Sequence, residues 1–193
     1  MTAIMTEQDL LIDCLNRLNR AEVAYMVTGS MASNFWGIPR STHDLDFAIQ
    51  LPVASMPKII VAFGDDFLLD EQAVRAAYQP PYQFNAIHQL SSLKVDFWLP
   101  ANTPFEREMF RRRMQKTILG VEAWIATPED IILHKLYWDH LTPSERQLRD
   151  AAGVLAVSGS QLDREYLRHW SDQLGVVTKL NELLEGKIKP KTT

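Results

Sequence analysis

The sequence predicts an α+β fold, in which a mixed β-sheet with flanking helices precedes a C-terminal helical bundle. Strand-like and helix-like segments alternate in the N-terminal part of the chain, whereas the apolar spacing from Thr127 onward is helical throughout. The chain has 193 residues, of which 46% are hydrophobic and 23% charged, as in soluble globular proteins. We therefore expect one α/β core over residues 1–126 and a helical part over residues 127–193 that packs on it.

The N-terminal elements follow from apolar periodicity and from residues that begin or end helices. Thr6–Arg20 is predicted to be a helix, because its leucines repeat on one face. Ala24–Thr28 is a short β-rich run that a turn at Gly29 ends. Ser30 is a suitable N-cap for a short helix that reaches Trp36.

The middle of the chain alternates between strands and helices. We expect strands over His43–Leu51, Tyr82–Ile87 and Leu93–Leu99, and helices over Pro57–Phe63 and Glu71–Tyr78. Three later helices are predicted to begin at a threonine cap, which is followed by a proline and then by an acid that faces the helix dipole. Their starts are Thr103-Pro104-Phe105-Glu106, Thr127-Pro128-Glu129-Asp130 and Thr142-Pro143-Ser144-Glu145.

Composition excludes several classes of protein. No apolar run reaches the ~18 residues that a membrane span needs, and Met1–Asp13 has no basic stretch ahead of an apolar one. Cys14 is the only cysteine, which excludes an intramolecular disulfide and a cysteine-built zinc site. The net charge of −4 argues against a protein that coats nucleic acid by global electrostatics. We expect a cytoplasmic protein with no membrane partner.

Three aspartates in apolar runs are the first candidates for chemistry. Asp44 and Asp46 are two residues apart, so both carboxylates point to the same face of a strand. Burial of two carboxylates side by side costs free energy unless a cation joins them. The later run Lys94-Val95-Asp96-Phe97-Trp98 supplies a third acid, which strand pairing would bring to the same place. An oxygen-only site of this kind suits Mg²⁺, and two such ions ~3.5–4 Å apart can support in-line attack on phosphorus.

The dipeptide Gly29-Ser30 fits the same chemistry. Glycine lets the backbone approach a phosphate closely, and the N-terminus of the following helix offers free N–H groups to it. A Gly-Ser pair is common on its own. The order of strand, Gly-Ser, short helix, D-x-D strand and distant single-Asp strand is difficult to obtain by chance.

This order of motifs resembles the nucleotidyltransferase superfamily, which has the palm-like fold of DNA polymerase β. The matching residues run V-T-G-S-M-A-S-N-F-W-G-I-P-R-S-T-H-D-L-D-F-A-I and then K-V-D-F-W. Within the superfamily the chain is most similar to the small bacterial group related to the AbiEii and MenT toxins, whose R-x-T ahead of D-x-D is matched by Arg40 and Thr42. Two later motifs of that group are matched at Pro128–Lys135 and Arg146–Asp150.

The resemblance implies transfer of NMP from an NTP to an acceptor hydroxyl, with Mg²⁺ or Mn²⁺ as cofactor. It implies that Asp44 and Asp46 hold the metals, and that Asp96 holds the catalytic metal and helps to deprotonate the acceptor. By the same resemblance the acceptor is RNA, at the 3′ end of a tRNA, and the protein is a toxin with a cognate antitoxin. The residues with implied nucleotide-binding roles are Gly29, Ser30, Arg40, Thr42 and Lys135.

Structural roles stay open for the same residues. The three acids could instead cap helices or form a salt-bridge network, and Arg40 could simply compensate their charge. Lys135 lies among apolar residues, where a lysine often extends to solvent. Asp150 is expected to fix helix packing together with Arg146 and Arg149.

One basic cluster offers RNA a docking surface on this acidic chain. We expect Arg111, Arg112 and Arg113 to contact the acceptor rather than the NTP, because they lie outside the Gly-Ser and D-x-D elements. The alternative is a solvated helix face with cations near its C-terminus. The five cations of this cluster are Arg107, Arg111, Arg112, Arg113 and Lys116.

Two other functions compete with RNA modification. One is nucleotidylation of a small molecule such as an aminoglycoside, and the other is an antitoxin-like module that modifies or binds a partner protein. Compact antitoxin nucleotidyltransferases usually have a shorter spacing between Gly-Ser and D-x-D and lack the helical extension. That difference counts against the antitoxin-like module.

Overall fold

The computed structural model describes residues 5–190 and divides into two compact units. The first unit comprises the residues up to Val27 together with Thr42–Ile125, and the second comprises Thr28–Ser41 and the residues from Ala126 on. The sequence-based division into domains 1–126 and 127–193 stays a prediction; the units share its border near residue 126, and segment 28–41 groups with the helices. Across residues 5–190 no helix is both long enough and apolar enough to cross a membrane.

The first unit is built on a mixed β-sheet, which confirms the predicted α+β class. Within the described residues the sheet has seven strands in the order β3-β4-β5-β2-β1-β7-β6. β2 runs parallel to β5, β1 runs parallel to β7, and the other neighbours are antiparallel. The strands are β1 Ala24–Val27, β2 Leu45–Gln50, β3 Phe67–Leu68, β4 Gln83–His88, β5 Lys94–Trp98, β6 Met114–Ile118 and β7 Val121–Ile125.

Four helices of the first unit follow the sequence prediction closely where one was made. Helix α1 begins after Thr6, whose side chain and that of Asp9 form the reciprocal bonds of a capping box. The buried face of α1 consists of leucines and Cys14, as the periodicity predicts. These helices are α1 Glu7–Arg20, α3 Met56–Phe63, α4 Glu71–Ala76 and α5 Pro104–Arg112.

An aromatic core covers one face of the central strands. Phe47 on β2 is paired in register with Phe97 on β5, and their ring centroids are 5.9 Å apart. Phe63 of α3 meets Phe97 edge to face at 5.1 Å. Because successive residues of a strand point to opposite faces, Asp46 and Asp96 lie on the face away from these rings.

The second unit is helical, as predicted for the residues from Thr127 onward. Helix α6 buries most of its residues, so it forms the centre of the unit rather than an amphipathic surface helix. The helices are α2 Gly29–Trp36, α6 Pro128–Leu141, α7 Glu145–Ser158, α8 Arg164–Gln173 and α9 Val177–Leu184.

The segment after α2 runs in very close contact with α7. A Cβ atom added to Gly37 would lie 2.6 Å from the backbone nitrogen of Val154, so only glycine fits at this point. Arg40, three residues after Gly37, is held by Asn34 of α2. The side chain of Asn34 donates to the Arg40 carbonyl at 2.7 Å and accepts from the Arg40 N–H at 3.0 Å. These contacts fix the course of the chain up to Arg40.

Three strands were not predicted, and they change the setting of the basic cluster. Ile118 pairs with Val121, so β6 and β7 form a hairpin with a two-residue turn. Leu119 and Gly120 both have positive φ, 49° and 82°, as such turns require. The basic cluster is therefore not confined to one helix face, the alternative considered for it, because α5 ends at Arg112 and Lys116 lies in β6.

Two of the predicted threonine caps are correct and one is wrong. Thr103 and Thr127 each accept a hydrogen bond from the backbone N–H three residues later. Thr142 instead closes the preceding helix, because its N–H donates to the carbonyl of Trp138 at 2.9 Å. Helix α7 therefore begins after Ser144.

Candidate active site

The strand register brings two of the predicted acids side by side. Asp46 of β2 is the direct partner of Asp96 of β5 in a parallel ladder, so both side chains project from the same face. Asp44 immediately precedes β2, two residues from Asp46. Asp96 is the most enclosed of the three, because its side chain is only 8% exposed.

Residues of β5 hold two of these carboxylates. Trp98 donates its indole N–H to Oδ1 of Asp46 at 3.2 Å. Lys94 places its ammonium 2.7 Å from Oδ2 of Asp96. The other oxygen of Asp96, Oδ1, is buried and has no hydrogen-bond partner among the described residues. Thr42 supports the turn into β2, since its hydroxyl accepts from the backbone N–H of Asp44 at 3.2 Å.

Lys94 lies in the electrostatic field of all three acids. The pKa of Lys94 is raised above its ordinary value, first by the hydrogen bond to Asp96 and then, against a smaller effect of burial, by the charges of Asp96, Asp44 and Asp46. A single ammonium therefore offsets part of the charge of the whole acidic cluster.

The chemistry of this cluster fits a hard divalent cation, although its side chains are not gathered around one point. Within residues 5–190, no three histidine, cysteine, aspartate or glutamate side chains lie close enough together to hold a metal ion. Asp96 is in contact with Lys94, and Asp46 accepts a hydrogen bond from Trp98. Carboxylate oxygens are nevertheless the ligands that Mg²⁺ and Mn²⁺ take, and Oδ1 of Asp96 is a buried acceptor that lacks a donor.

In the second unit, Asp150 binds two of the predicted nucleotide-binding residues. Arg40 makes a two-pronged contact with Asp150, with Nε 2.7 Å from Oδ1 and Nη2 2.9 Å from Oδ2. Lys135 donates to Oδ2 of the same carboxylate at 2.9 Å. Nη2 of Arg40 also donates to the hydroxyl of Ser30 at 2.7 Å. Four predicted or suspected residues thus form one network: Ser30, Arg40, Lys135 and Asp150.

This network shows the contacts of two residues whose structural roles the sequence left open. Lys135 does not extend to solvent, because its side chain is 8% exposed and bonded to Asp150. Asp150 was expected to fix helix packing together with Arg146 and Arg149; it bonds to Arg40 and Lys135, whereas Arg149 pairs with Glu145. Burial tends to raise the pKa of Asp150, but the hydrogen bond from Arg40 and the charge of Lys135 outweigh it and hold that pKa below its ordinary value.

The Gly-Ser pair opens α2 in a way that differs from the prediction. Gly29 is the first helical residue and has φ +59°, a conformation that favours glycine. Ser30 is therefore not the N-cap, which makes that prediction wrong, and its hydroxyl is held by Arg40 instead. Thr28 occupies the capping position, and its buried hydroxyl has no partner among the described residues.

Part of the basic cluster is engaged within the protein. Arg111 makes a two-pronged ion pair with Glu108 at 2.8 and 2.6 Å. The guanidinium of Arg113 lies 4.4 Å from the ring centroid of Phe110 and 4.8 Å from that of Trp124, as expected for cation–π packing. Arg113 is therefore a structural residue, while Arg111 is exposed on α5.

Two residues near the acids were missed at the sequence level, although the sequence contained a signal for them. Lys94, Asp96 and Trp98 alternate along β5, so a strand must present all three to one face. The pattern alone does not assign Lys94 and Trp98 to the site, because a lysine and a tryptophan beside an acid are common on sheet surfaces.

No protein-family model and no curated protein sequence matches the chain. Solved structures do match it: that of the antibiotic-resistance factor ANT(2″)-Ia has a TM-score of 0.63 at 12% identity and covers 93% of this chain and 98% of that one. ANT(2″)-Ia in complex with adenylyl-2″-tobramycin gives 0.60 at 13% identity, covering 88% and 97%. An antigenic nucleotidyltransferase-like protein from Paracoccidioides brasiliensis gives 0.50 at 14% identity, covering 96% and 94%. The chain therefore has a nucleotidyltransferase-like fold.

Proposed function

We propose that the protein is a divalent-metal-dependent nucleotidyltransferase that transfers NMP from an NTP to an acceptor hydroxyl. The observation that carries this proposal is the pairing of Asp46 with Asp96 on adjacent parallel strands, with Asp44 two residues before Asp46. Asp46 and Asp96 lie on the side of the sheet away from its aromatic core, and Asp44 immediately precedes β2. The nucleotidyltransferase-like fold supports the same reaction.

In this proposal the three acids hold Mg²⁺ or Mn²⁺ and one of them also moves a proton. A bound metal would supply Lewis-acid activation of the phosphate and of the attacking oxygen. Asp96 accepts the proton of the acceptor hydroxyl, whose oxygen forms a bond to the α-phosphorus. The bond from the α-phosphorus to the bridging oxygen of the β-phosphate breaks, and pyrophosphate leaves. Oδ1 of Asp96, which has no donor among the described residues, is the oxygen available for this role.

The network of the second unit supports binding of the triphosphate. Arg40 and Lys135 bring two positive charges to one carboxylate of Asp150, which leaves the group with a net positive charge. Arg40 contacts Ser30 in the first turn of α2, where backbone N–H groups and the helix dipole also favour an anion. We propose that Gly29, Ser30, Arg40 and Lys135 bind phosphate oxygens, and that Thr42 orders the chain ahead of the acids.

RNA is the first candidate for the acceptor, which would make the protein a toxin that modifies tRNA and has a cognate antitoxin. The support is the concentration of cations along α5 in a chain whose net charge is −4. Replacing Arg111 and Arg112 together by Gln leaves Arg113 in its aromatic packing and removes two phosphate contacts. The slope of log affinity for RNA against log salt should become shallower by ~0.7 per lost contact. The matched control is Arg75→Gln, which removes an exposed ion pair on α4.

A small molecule with a free hydroxyl is the second candidate for the acceptor. The solved structure of ANT(2″)-Ia with adenylyl-2″-tobramycin favours it, because that protein is similar to this chain over most of its length. The ion pair of Arg111 with Glu108 also reduces the charge that α5 offers to RNA. An unchanged salt slope in the arginine variant, with labelling of an aminoglycoside, would favour this alternative.

The reaction can be tested with each of the four α-labelled NTPs. Purified protein, Mg²⁺ and one labelled NTP are incubated with total RNA, with an aminoglycoside mixture or with cell extract. We expect label to be transferred to one acceptor class together with release of pyrophosphate. Absence of labelled product from every combination, with Mg²⁺ and with Mn²⁺, would contradict the proposed function.

A further inference from the structure

Strand β5 presents an unusual sequence of side chains to the acids of β2. Lys94, Asp96 and Trp98 alternate along it and share one face. The ammonium of Lys94 binds Oδ2 of Asp96 at 2.7 Å, and the indole of Trp98 donates to Asp46 at 3.2 Å. Asp96 is thus held by a charged group, the ammonium of Lys94, and Asp46 accepts a hydrogen bond from a neutral group, the indole of Trp98.

The exposures of the two ion-pair partners differ strongly. The side chain of Lys94 is 48% exposed, whereas that of Asp96 is 8% exposed. Lys94 can therefore leave the pair and be hydrated at small cost, whereas an enclosed carboxylate such as that of Asp96 loses stability without a counter-ion. Lys94 can therefore be replaced by another cation, whereas Asp96 requires a cation of some kind as its partner.

Lys94 also controls the net charge that a metal ion meets. Asp44, Asp46 and Asp96 are three acidic residues, and the ammonium of Lys94 lies 2.7 Å from Oδ2 of Asp96. Lys94 places one positive formal charge beside these acids, which weakens their attraction for a further cation. A divalent ion therefore competes with Lys94 for contact with Asp96 and for electrostatic attraction to the three acids.

We infer that Lys94 is a resident cation that neutralises Asp96 until a divalent metal binds, and that metal binding exchanges the Lys94–Asp96 ion pair for a metal–Asp96 contact. The inference rests on the proposed function, since it needs the three acids to be the metal ligands. Lys94 is thus a positioning residue that weakens metal binding and stabilises the metal-free protein.

The test is Mn²⁺ binding by the full-length metal-free protein, measured by electron paramagnetic resonance without nucleotide. Lys94→Met should bind Mn²⁺ about tenfold more tightly than the unchanged protein, which corresponds to ~1.4 kcal/mol. Lys94→Arg keeps the charge and should bind like the unchanged protein. Lys58→Met removes an exposed lysine from α3 and is the matched control, for which we expect no change.

A second readout covers the case in which Lys94→Met folds poorly. Lys94→Gln keeps a hydrogen-bond donor for Asp96 but removes the charge, so it should fold and still bind Mn²⁺ more tightly. Without metal, Lys94→Met and Lys94→Gln should unfold at a lower temperature than the unchanged protein. Addition of Mn²⁺ should raise their unfolding temperatures by more than it raises that of the unchanged protein.

The outcomes separate this inference from the proposed function. Unchanged or weaker Mn²⁺ binding in both uncharged variants, with binding abolished by Asp96→Asn, would overturn the role of Lys94 and leave the metal site intact. Mn²⁺ binding that Asp96→Asn does not reduce would instead overturn the metal site itself, and with it the proposed function.

Discussion

At the scale of single residues, Asp150 has one negative charge that faces two cations, and this imbalance determines what each substitution does. Asp150→Asn leaves Arg40 and Lys135 without their shared counter-ion, and removal of one partner of a buried ion pair costs ~3–5 kcal/mol. Lys135→Met leaves the two-pronged contact of Arg40 with Asp150 in place, so we expect a smaller loss. The measurement is the free energy of unfolding in urea.

The comparison of the two variants carries its own control. Arg149→Gln removes an exposed ion pair from the same helix and should change the free energy of unfolding by less than ~1 kcal/mol. Equal losses for Asp150→Asn and Arg149→Gln would show that the network of Asp150 contributes nothing beyond a surface pair.

The sequence predicted which acids share a face but not what holds them. A strand has a period of two, so the spacing of Asp44 and Asp46 fixes their direction as soon as the strand is recognised. The contact of Lys94 with Asp96 depends on register and on side-chain rotamers, which local sequence does not specify. The contact of Asp150 with Arg40 was not predicted for the same reason, because Arg40 is distant in sequence.

At the scale of elements, the segment after α2 depends on a glycine. In Gly37→Ala the new methyl group would meet the backbone of α7 at 2.6 Å, and backbone cannot rotate away as a side chain can. We expect destabilisation of ~1–3 kcal/mol, the usual cost of overpacking. Differential scanning calorimetry should show a lower unfolding temperature.

Gly159→Ala is the matched variant for this prediction. A Cβ atom at Gly159 would be 3.3 Å from Cδ1 of Leu155, which is a side-chain atom that can move. Its unfolding temperature should stay the same or rise slightly, because alanine restricts the unfolded chain. A loss as large as that of Gly37→Ala would show that close approach to α7 is not the cause.

Helix α6 contains a histidine that makes stability depend on pH. Burial, together with the nearby charge of Lys135, lowers the pKa of His134 from 6.5 to about 4, and its Nε2 accepts from the indole of Trp138 at 3.0 Å. Between pH 6.5 and 4 the unfolded chain binds a proton that the folded protein does not. Stability should therefore fall as pH falls through this window.

The contribution of His134 is obtained by measuring the free energy of unfolding from pH 7 to about pH 4 for the unchanged protein and for histidine variants. His134→Gln should make the decline shallower, whereas His140→Gln, on the same helix but exposed, should leave it unchanged. Parallel curves for the unchanged protein and His134→Gln would refute the assignment.

Helices were predicted better than strands because their signals are local. N-terminal caps and apolar periodicity predicted α1 and α6 correctly. The cap at Thr142 was predicted from the same Thr-Pro pattern as Thr103 and Thr127, but there the pattern follows the end of a helix. The β6–β7 hairpin was missed because its turn, Leu119-Gly120, is not a common hairpin pair and the preceding arginines favoured continued helix.

At the scale of the whole molecule, each of the two units is built from two separate segments of the chain, which the sequence did not predict. The segment Thr28–Ser41 lies between β1 and β2 in sequence yet belongs to the helical unit. Its grouping depends on contacts with residues more than a hundred positions later, such as that between Arg40 and Asp150. Such contacts arise from tertiary packing, which short sequence patterns do not specify.

The central claim is that Asp44, Asp46 and Asp96 support metal-dependent transfer of NMP. The most direct measurement is the rate of transfer from an α-labelled NTP by Asp46→Asn, compared with Asp65→Asn, which alters an exposed acid of the same unit. We predict that Asp46→Asn loses more than about a hundredfold in rate, ~2.7 kcal/mol, with an unchanged circular dichroism spectrum, and that Asp65→Asn keeps full activity. Transfer by Asp46→Asn at the rate of Asp65→Asn would contradict the claim.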